Sequence, residues 1–145
     1  ITASWHVDEL TPYRVLLAAD LVDMVMTGHL FNQTIDPVYP ATLSPSTVTG
    51  LLRKELGYQG VVVSDDLQMQ AISAHYRFDE ALCRALAAGV DLLVIGNNLV
   101  YRRGIVKQAV AAIRDGIDRG LVTKARVLEA YHRVQQLKYG SRKDN

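Results

Sequence analysis

Three short apolar runs punctuate the chain, and between them apolar residues recur at helical spacing. Val22 to Met26, Val61-Val62-Val63 and Leu92-Leu93-Val94-Ile95 are too short for ordinary helices and lack the polar alternation of a half-solvated strand. Each therefore predicts a strand buried on both faces, as in a parallel sheet. Helices are predicted where the period lengthens. Val15, Leu16 and Ala19 follow Thr11-Pro12, a cap with proline at the first helical position. Val48, Leu51, Leu52 and Leu56 follow Ser44-Pro45 and stop at Gly57. Phe78, Ala81, Leu82, Ala85 and Leu86 form a third stripe ending at Gly89, with Asp79 and Glu80 in the first turn, where they complement the helix dipole. Two stripes finish the chain: Ile105, Val106, Ala109, Val110 and Ile113, broken near Gly116 and Gly120, then Val127, Ala130, Tyr131, Val134 and Leu137, capped by Thr123.

Strands alternating with helices imply right-handed βαβ crossovers, hence an α/β fold with a parallel sheet. Three strands fit either part of an open doubly wound sheet or an arc of a (β/α)₈ barrel. An isolated arc leaves two strand edges and one sheet face unpaired, which is costly in water. By pattern alone the open sheet needs fewer missing parts.

Candidate chemistry sits where the second run ends. Val63 is followed by Ser64 and then by Asp65 and Asp66. The carboxyl end of a buried parallel strand is where α/β proteins place reacting groups. The competing assignment is a cap for a helix starting near Leu67. Alternation sends adjacent side chains to opposite faces, so one carboxylate suits a site and the other a cap. A second candidate region is the long segment Phe31 to Leu43, which holds Pro37 and Pro40; loops of that length in a small domain are often functional.

Composition narrows the classes. At 145 residues, 49% hydrophobic and 21% charged with a formal charge of +1, the chain is a single-domain length of ordinary globular composition. The balance of charge points neither to nucleic acid nor to an acidic partner. No stretch approaches the ~20 apolar residues of a membrane-spanning helix. The lone Cys83 has no cysteine partner for a disulfide or metal site and falls within a helical pattern, where it reads as a small buried hydrophobe. The tail 141–145 reads as a frayed end. Ile1-Thr2-Ala3-Ser4-Trp5 has neither an initiator Met nor a signal-peptide layout, so the chain reads as cut from something longer.

Three segments, Pro40-Ala41-Thr42-Leu43-Ser44, Leu51 to Tyr58, and Gly60-Val61-Val62-Val63-Ser64-Asp65-Asp66-Leu67-Gln68-Met69-Gln70-Ala71-Ile72, carry a family pattern. Together they resemble glycoside hydrolase family 3, and within it the single-domain bacterial β-N-acetylglucosaminidase branch. Met26-Thr27-Gly28-His29 resembles the end of that family's sixth barrel strand, Ala87 to Leu93 the entry to its eighth, and Ala125 to Tyr131 its closing helix. The resemblance spans about Pro12 to Leu137. It implies that residues 1–145 are the C-terminal portion, about strands 6–8, of one TIM-type (β/α)₈ barrel whose upstream half lies outside the chain. It implies a retaining glycosidase acting on a carbohydrate, with Asp65 as the catalytic nucleophile and no metal or organic cofactor. A carboxylate with that task must stay ionised, so polar or cationic neighbours are expected around it.

By the same resemblance His29 and Met69 are substrate-binding candidates. An orienting hydrogen bond is the other reading of His29, and loop packing that of Met69. The resemblance places Asp66 as a cap or a support for its neighbour. No histidine here matches the family's mobile acid/base loop; His6, His75 and His132 lie outside any motif and read as surface or packing residues. Gly96-Asn97-Asn98 reads as a turn at a strand end. Two other readings of the chain stand beside the hydrolase: a small ligand-binding open-sheet module, and a half-barrel that closes against a second copy of itself.

Overall fold

Val25 and Val62 lie side by side in a parallel pair of strands, β1 (Met24–Thr27) and β2 (Val61–Ser64), in register from Met24 opposite Val61 to Thr27 opposite Ser64. The computed structural model describes residues 1–98 and 100–140; the polar tail 141–145 lies outside the described residues. A 3₁₀ turn at Val7–Leu10 leads into helix α1 (Thr11–Ala18). Thr11 is the first helical residue and Leu10 the cap, one position earlier than the Thr-Pro signal suggests. The helix Ser46–Glu55 joins β1 to β2. It is wound as a π-helix and closes with a hydrogen bond from Leu56 N to Leu51 O of 2.9 Å. The Ser44 hydroxyl accepts from Thr47 N at 2.9 Å, so the expected cap works although Ser44 lies outside the helix. Gly57 takes φ +74°, the left-handed turn that releases the chain toward β2.

The helices after β2 are α2 (Gln70–Ser73), α3 (Phe78–Ala88), α4 (Ile105–Asp118) and α5 (Lys124–Tyr139). Thr123 caps α5, its hydroxyl accepting from Arg126 N at 3.1 Å. Gly116 does not break α4: the helix runs through it, and Gly116 is where α4 meets Cys83 of α3 too closely for a side chain. Gly120 makes the left-handed stop instead, at φ +71°.

The third apolar run departs from expectation. Leu92 makes a single parallel bridge to Val63, and the rest of Leu92 to Ile95 forms no strand. The backbone still follows β2, with Leu92 N donating to Val62 O at 3.0 Å and Leu67 N to Val94 O at 3.1 Å. Bonds on the β2 side hold the run, but among the described residues no ladder forms on its other side.

One face of this small sheet is covered. Val62, Val48, Leu52, Ile72, Ala81, Ala85 and Val90 make the main core, with Val25 packed against it. Burying a valine there stabilises by roughly 1.5–3 kcal/mol. The opposite face is open: Met24 is 47% and Met26 62% exposed, against the expectation of burial on both faces. Val106 at 70% and Val110 at 45% likewise turn outward, so only Ile105 and Ala109 of that stripe are buried.

Candidate active site

Ser64 ends β2 fully buried, with its backbone N donating to Leu92 O and its hydroxyl accepting from Val94 N, both at 2.9 Å. One residue on, Asp65 N donates to Thr27 O at 3.0 Å, carrying the β1–β2 ladder a step past the strand. The backbone of Asp65 is thus tied to β1 just where the sheet ends. Alternation along β2 puts its side chain on the open face shared by Met26 and Val63. Asp65 is half-buried, and its Oδ1 accepts from Asp66 N at 2.7 Å. None of the ion pairs among the described residues brings a lysine or arginine to it. The polar neighbour expected of an ionised carboxylate is therefore a backbone amide.

Asp66 faces differently. Its Oδ1 accepts from Gln68 N and from Gly96 N, each at 3.0 Å, joining the turn after β2 to the end of the third run. It caps no helix, because α2 begins at Gln70 with Met69 as an N-cap lacking any side-chain bond. Gln68 adds a second tie: its Oε1 accepts from Asn97 N at 2.5 Å and its Nε2 donates to Val100 O at 3.1 Å. Asn97 adopts the left-handed φ +53°, and Gly96-Asn97-Asn98, irregular with a bend at Asn98, is the surface to which the Asp66 loop is fastened. Met69 stands at the edge of this loop, 37% exposed.

Both ring nitrogens of His29 are engaged within the protein. Nδ1 lies 2.9 Å from the Thr42 hydroxyl and Nε2 lies 2.9 Å from the carbonyl oxygen of Asp66. Thr42 is fully buried and also reaches Gly28 O at 3.0 Å. The long loop is ordered by its own carboxylate: Asp36 Oδ1 accepts from Val38 N and Tyr39 N, both at 2.9 Å. Burial alone would raise the Asp36 carboxyl, but hydrogen bonds from Ser44, Tyr39 and Val38 outweigh it and hold the group below its ordinary value. The remaining histidines sit apart. His6 caps the 3₁₀ turn at Val7–Leu10, His132 meets Tyr131 edge-on, and His75 is exposed. Among the described residues no cluster of three or more His, Cys, Asp or Glu is spaced to hold a metal ion.

The opposite end of the sheet holds a carboxylate of another kind. The side chain of Asp91 is fully buried. Its Oδ2 accepts from Arg53 at 2.6 Å and from Val62 N at 3.0 Å, and its Oδ1 takes Arg126 and, at 3.3 Å, Arg133. Burial presses the Arg53 guanidinium below its usual value, Asp91 acting against that. Beside it, burial pushes the Tyr58 phenol up to about 12. Sequence reasoning assigned no role to Asp91, Thr42 or Gln68, whose partners lie far along the chain. The two carboxylates divide the sheet. Asp91 is neutralised at the amino end, where parallel α/β folds keep stability, and Asp65, with no counter-ion among the described residues, stands at the carboxyl end, where they keep chemistry.

The model for the Glycosyl hydrolase family 3 N terminal domain matches residues 3–137. Beta-hexosaminidase A of Pseudoalteromonas piscicida is 29% identical over 143 residues, covering 90% of this chain and 24% of the relative. The beta-N-acetylglucosaminidase/beta-glucosidase of Cellulomonas fimi is 32% identical over 136 residues, covering 87% and 23%. Among solved structures, a glycoside hydrolase family 3 beta-N-acetylglucosaminidase from Paenibacillus sp. str. FPU-7 superposes with a TM-score of 0.80 at 39% identity, covering 90% of this chain and 24% of that one. The chain thus spans about a quarter of the length of these relatives. The family match over nearly all of the described residues, with parallel strands and helices that superpose on a solved member, establishes that the chain belongs to glycosyl hydrolase family 3.

Proposed function

We propose that this chain is the nucleophile-bearing portion, about strands 6–8, of the barrel of a retaining exo-β-N-acetylglucosaminidase. The enzyme removes terminal N-acetylglucosamine from peptidoglycan- or chitin-derived glycans. The observation that carries this reading is Asp65, its backbone tied to Thr27 and its half-buried carboxylate, paired with no cation among the described residues, at the carboxyl end of β2. An Asp65 oxygen attacks the anomeric carbon as the bond to the leaving oxygen breaks, and an acid outside this chain gives that oxygen its proton. Water then attacks the same carbon, surrenders a proton to the same outside group, and the Asp65 carboxylate is regenerated. Met69, exposed beside the loop, lines the sugar pocket. His29 enters as part of the pocket wall, its two nitrogens already engaged with Thr42 and Asp66.

The upstream half of the same barrel is the partner, supplied by the same gene product or by a nicked companion fragment. The open face of Met24 and Met26 and the edge of β1, which pairs with no other strand among the described residues, support this, since each asks for covering. A self-sufficient open-sheet module is the weaker reading, because two strands and one bridge leave that face bare. Within the family, the Cellulomonas fimi relative carries both activities in its name, so a β-glucosidase-type substrate is the second reading.

The test is made on the complete gene product, assayed on aryl N-acetylglucosaminides and aryl glucosides. Asp65→Ala abolishes turnover of whichever is hydrolysed. Turnover left intact by that change removes Asp65 from the reaction. Preference for the glucoside selects the second reading.

A further inference from the structure

We infer that His29 and Thr42 form a positioning pair that fixes the backbone of the nucleophile loop, with His29 acting through the carbonyl of Asp66 rather than through the sugar. The inference rests on the reading of Asp65 as nucleophile and adds to it the groups that aim it. A carbonyl oxygen can only accept, so at 2.9 Å the Nε2 of His29 carries the hydrogen and donates to Asp66 O. That carbonyl belongs to the residue whose amide holds the Asp65 carboxylate at 2.7 Å. One residue thus receives the imidazole through its carbonyl and holds the nucleophile through its amide. The ring cannot swing freely, because Nδ1 meets the Thr42 hydroxyl at 2.9 Å. Thr42 is itself fully buried; with the ring's hydrogen on Nε2 the hydroxyl's one hydrogen goes to Nδ1, and Gly28 O, 3.0 Å away and next to His29 in the chain, is the other acceptor within its reach. The long loop therefore delivers a buried hydroxyl to the ring, and the ring delivers a donor to the nucleophile turn. A buried polar group that loses its partner is left unsatisfied, so the chain of bonds is held or broken as a unit.

Thr42→Val keeps the shape of the side chain and removes the hydroxyl, which makes it the cleanest probe. In the complete enzyme it lowers kcat by about 10–100-fold, the size expected of a reacting group displaced by around an ångström, with KM changed less than about threefold. Thr42→Ser, which retains the hydroxyl, restores kcat to within about threefold of the parent. His29→Gln, which keeps a donor but not the ring's reach to both partners, falls between Thr42→Val and the parent and serves if Thr42→Val fails to fold. The inference is overturned if Thr42→Val turns over like the parent. It is overturned equally if Ser and Val lose activity alike, or if KM rises with kcat unchanged, since the last would put His29 on the sugar. Asp65→Ala, run in parallel, keeps the two claims apart: an active Asp65→Ala enzyme removes the nucleophile assignment, whereas a dead one with unaffected Thr42 variants removes only the positioning pair.

Discussion

Gly96 lies so close to the carboxylate of Asp66 that a side-chain carbon placed on it would stand 2.5 Å from Asp66 Oδ2, while its amide donates to Oδ1 at 3.0 Å. The missing side chain lets the third run dock against the turn that carries Asp65. Gly96→Ala in the complete enzyme should force the turn aside and lower kcat by about 10–100-fold. Steady-state kinetics on an aryl N-acetylglucosaminide reads this out, and an unchanged kcat means the docking does not aim the nucleophile.

The neighbouring aspartates should respond oppositely to the same conservative change. Both bonds to Asp66 Oδ1 come from backbone amides, so an acceptor oxygen is all that is required. Asp66→Asn therefore keeps most activity, whereas Asp65→Asn loses it, because an amide cannot form the glycosyl ester. Equal loss in both variants would mean that Asp66 also takes part as a charge.

At the amino end of the sheet, Asp91→Asn leaves Arg53, Arg126 and Arg133 crowded with their shared counter-ion gone. Removing one partner from a buried ion pair costs about 3–5 kcal/mol. Urea unfolding should show a loss of that order, and a loss below about 1 kcal/mol would assign the cluster no role in stability.

Much of this was legible in the sequence. The helices followed from periodicity and from Pro and Gly punctuation; the Asp65-Asp66 pair stood out at the end of a buried run, and only the family resemblance chose Asp65 between them. What was not legible has a common cause. Gly116 reads locally as a helix breaker, yet its role is to admit Cys83 from another helix. Leu92 to Ile95 has a strand's composition, but strand geometry also depends on neighbours, and among the described residues the run's one β-bridge is to Val63. Thr42 meets its ring 13 residues back along the chain, and Asp91 its partners 29 to 42 residues away, so no local spacing announces either.

The contact between Gly116 and Cys83 gives its own test. Gly116→Ala overpacks the α3–α4 interface and should cost about 1–3 kcal/mol. Adding Cys83→Ala makes room and should recover most of that loss, a coupling that a double-mutant cycle in urea measures directly. Additive effects would mean that the two residues do not share the space.

Acid should loosen the long loop. Asp36 is held below its ordinary carboxylate value when folded, so its contribution is present above about pH 4 and is lost as pH falls through the lowered value. Asp36→Asn gives up part of that stability at neutral pH and flattens the fall in acid. Unfolding free energy measured from pH 6 to pH 3 for both proteins checks the slope, and parallel curves would exclude Asp36 as its source.

The central claim is that Asp65 bonds covalently to the sugar. Incubating the complete enzyme with a 5-fluoro N-acetylglucosaminyl fluoride as inactivator, digesting it and sequencing the labelled peptide by mass spectrometry tests that claim most directly. The account predicts a single glycosyl adduct on Asp65, absent from the Asp65→Ala protein. An adduct on another residue, or inactivation of the Asp65→Ala protein at the parent rate, would contradict it.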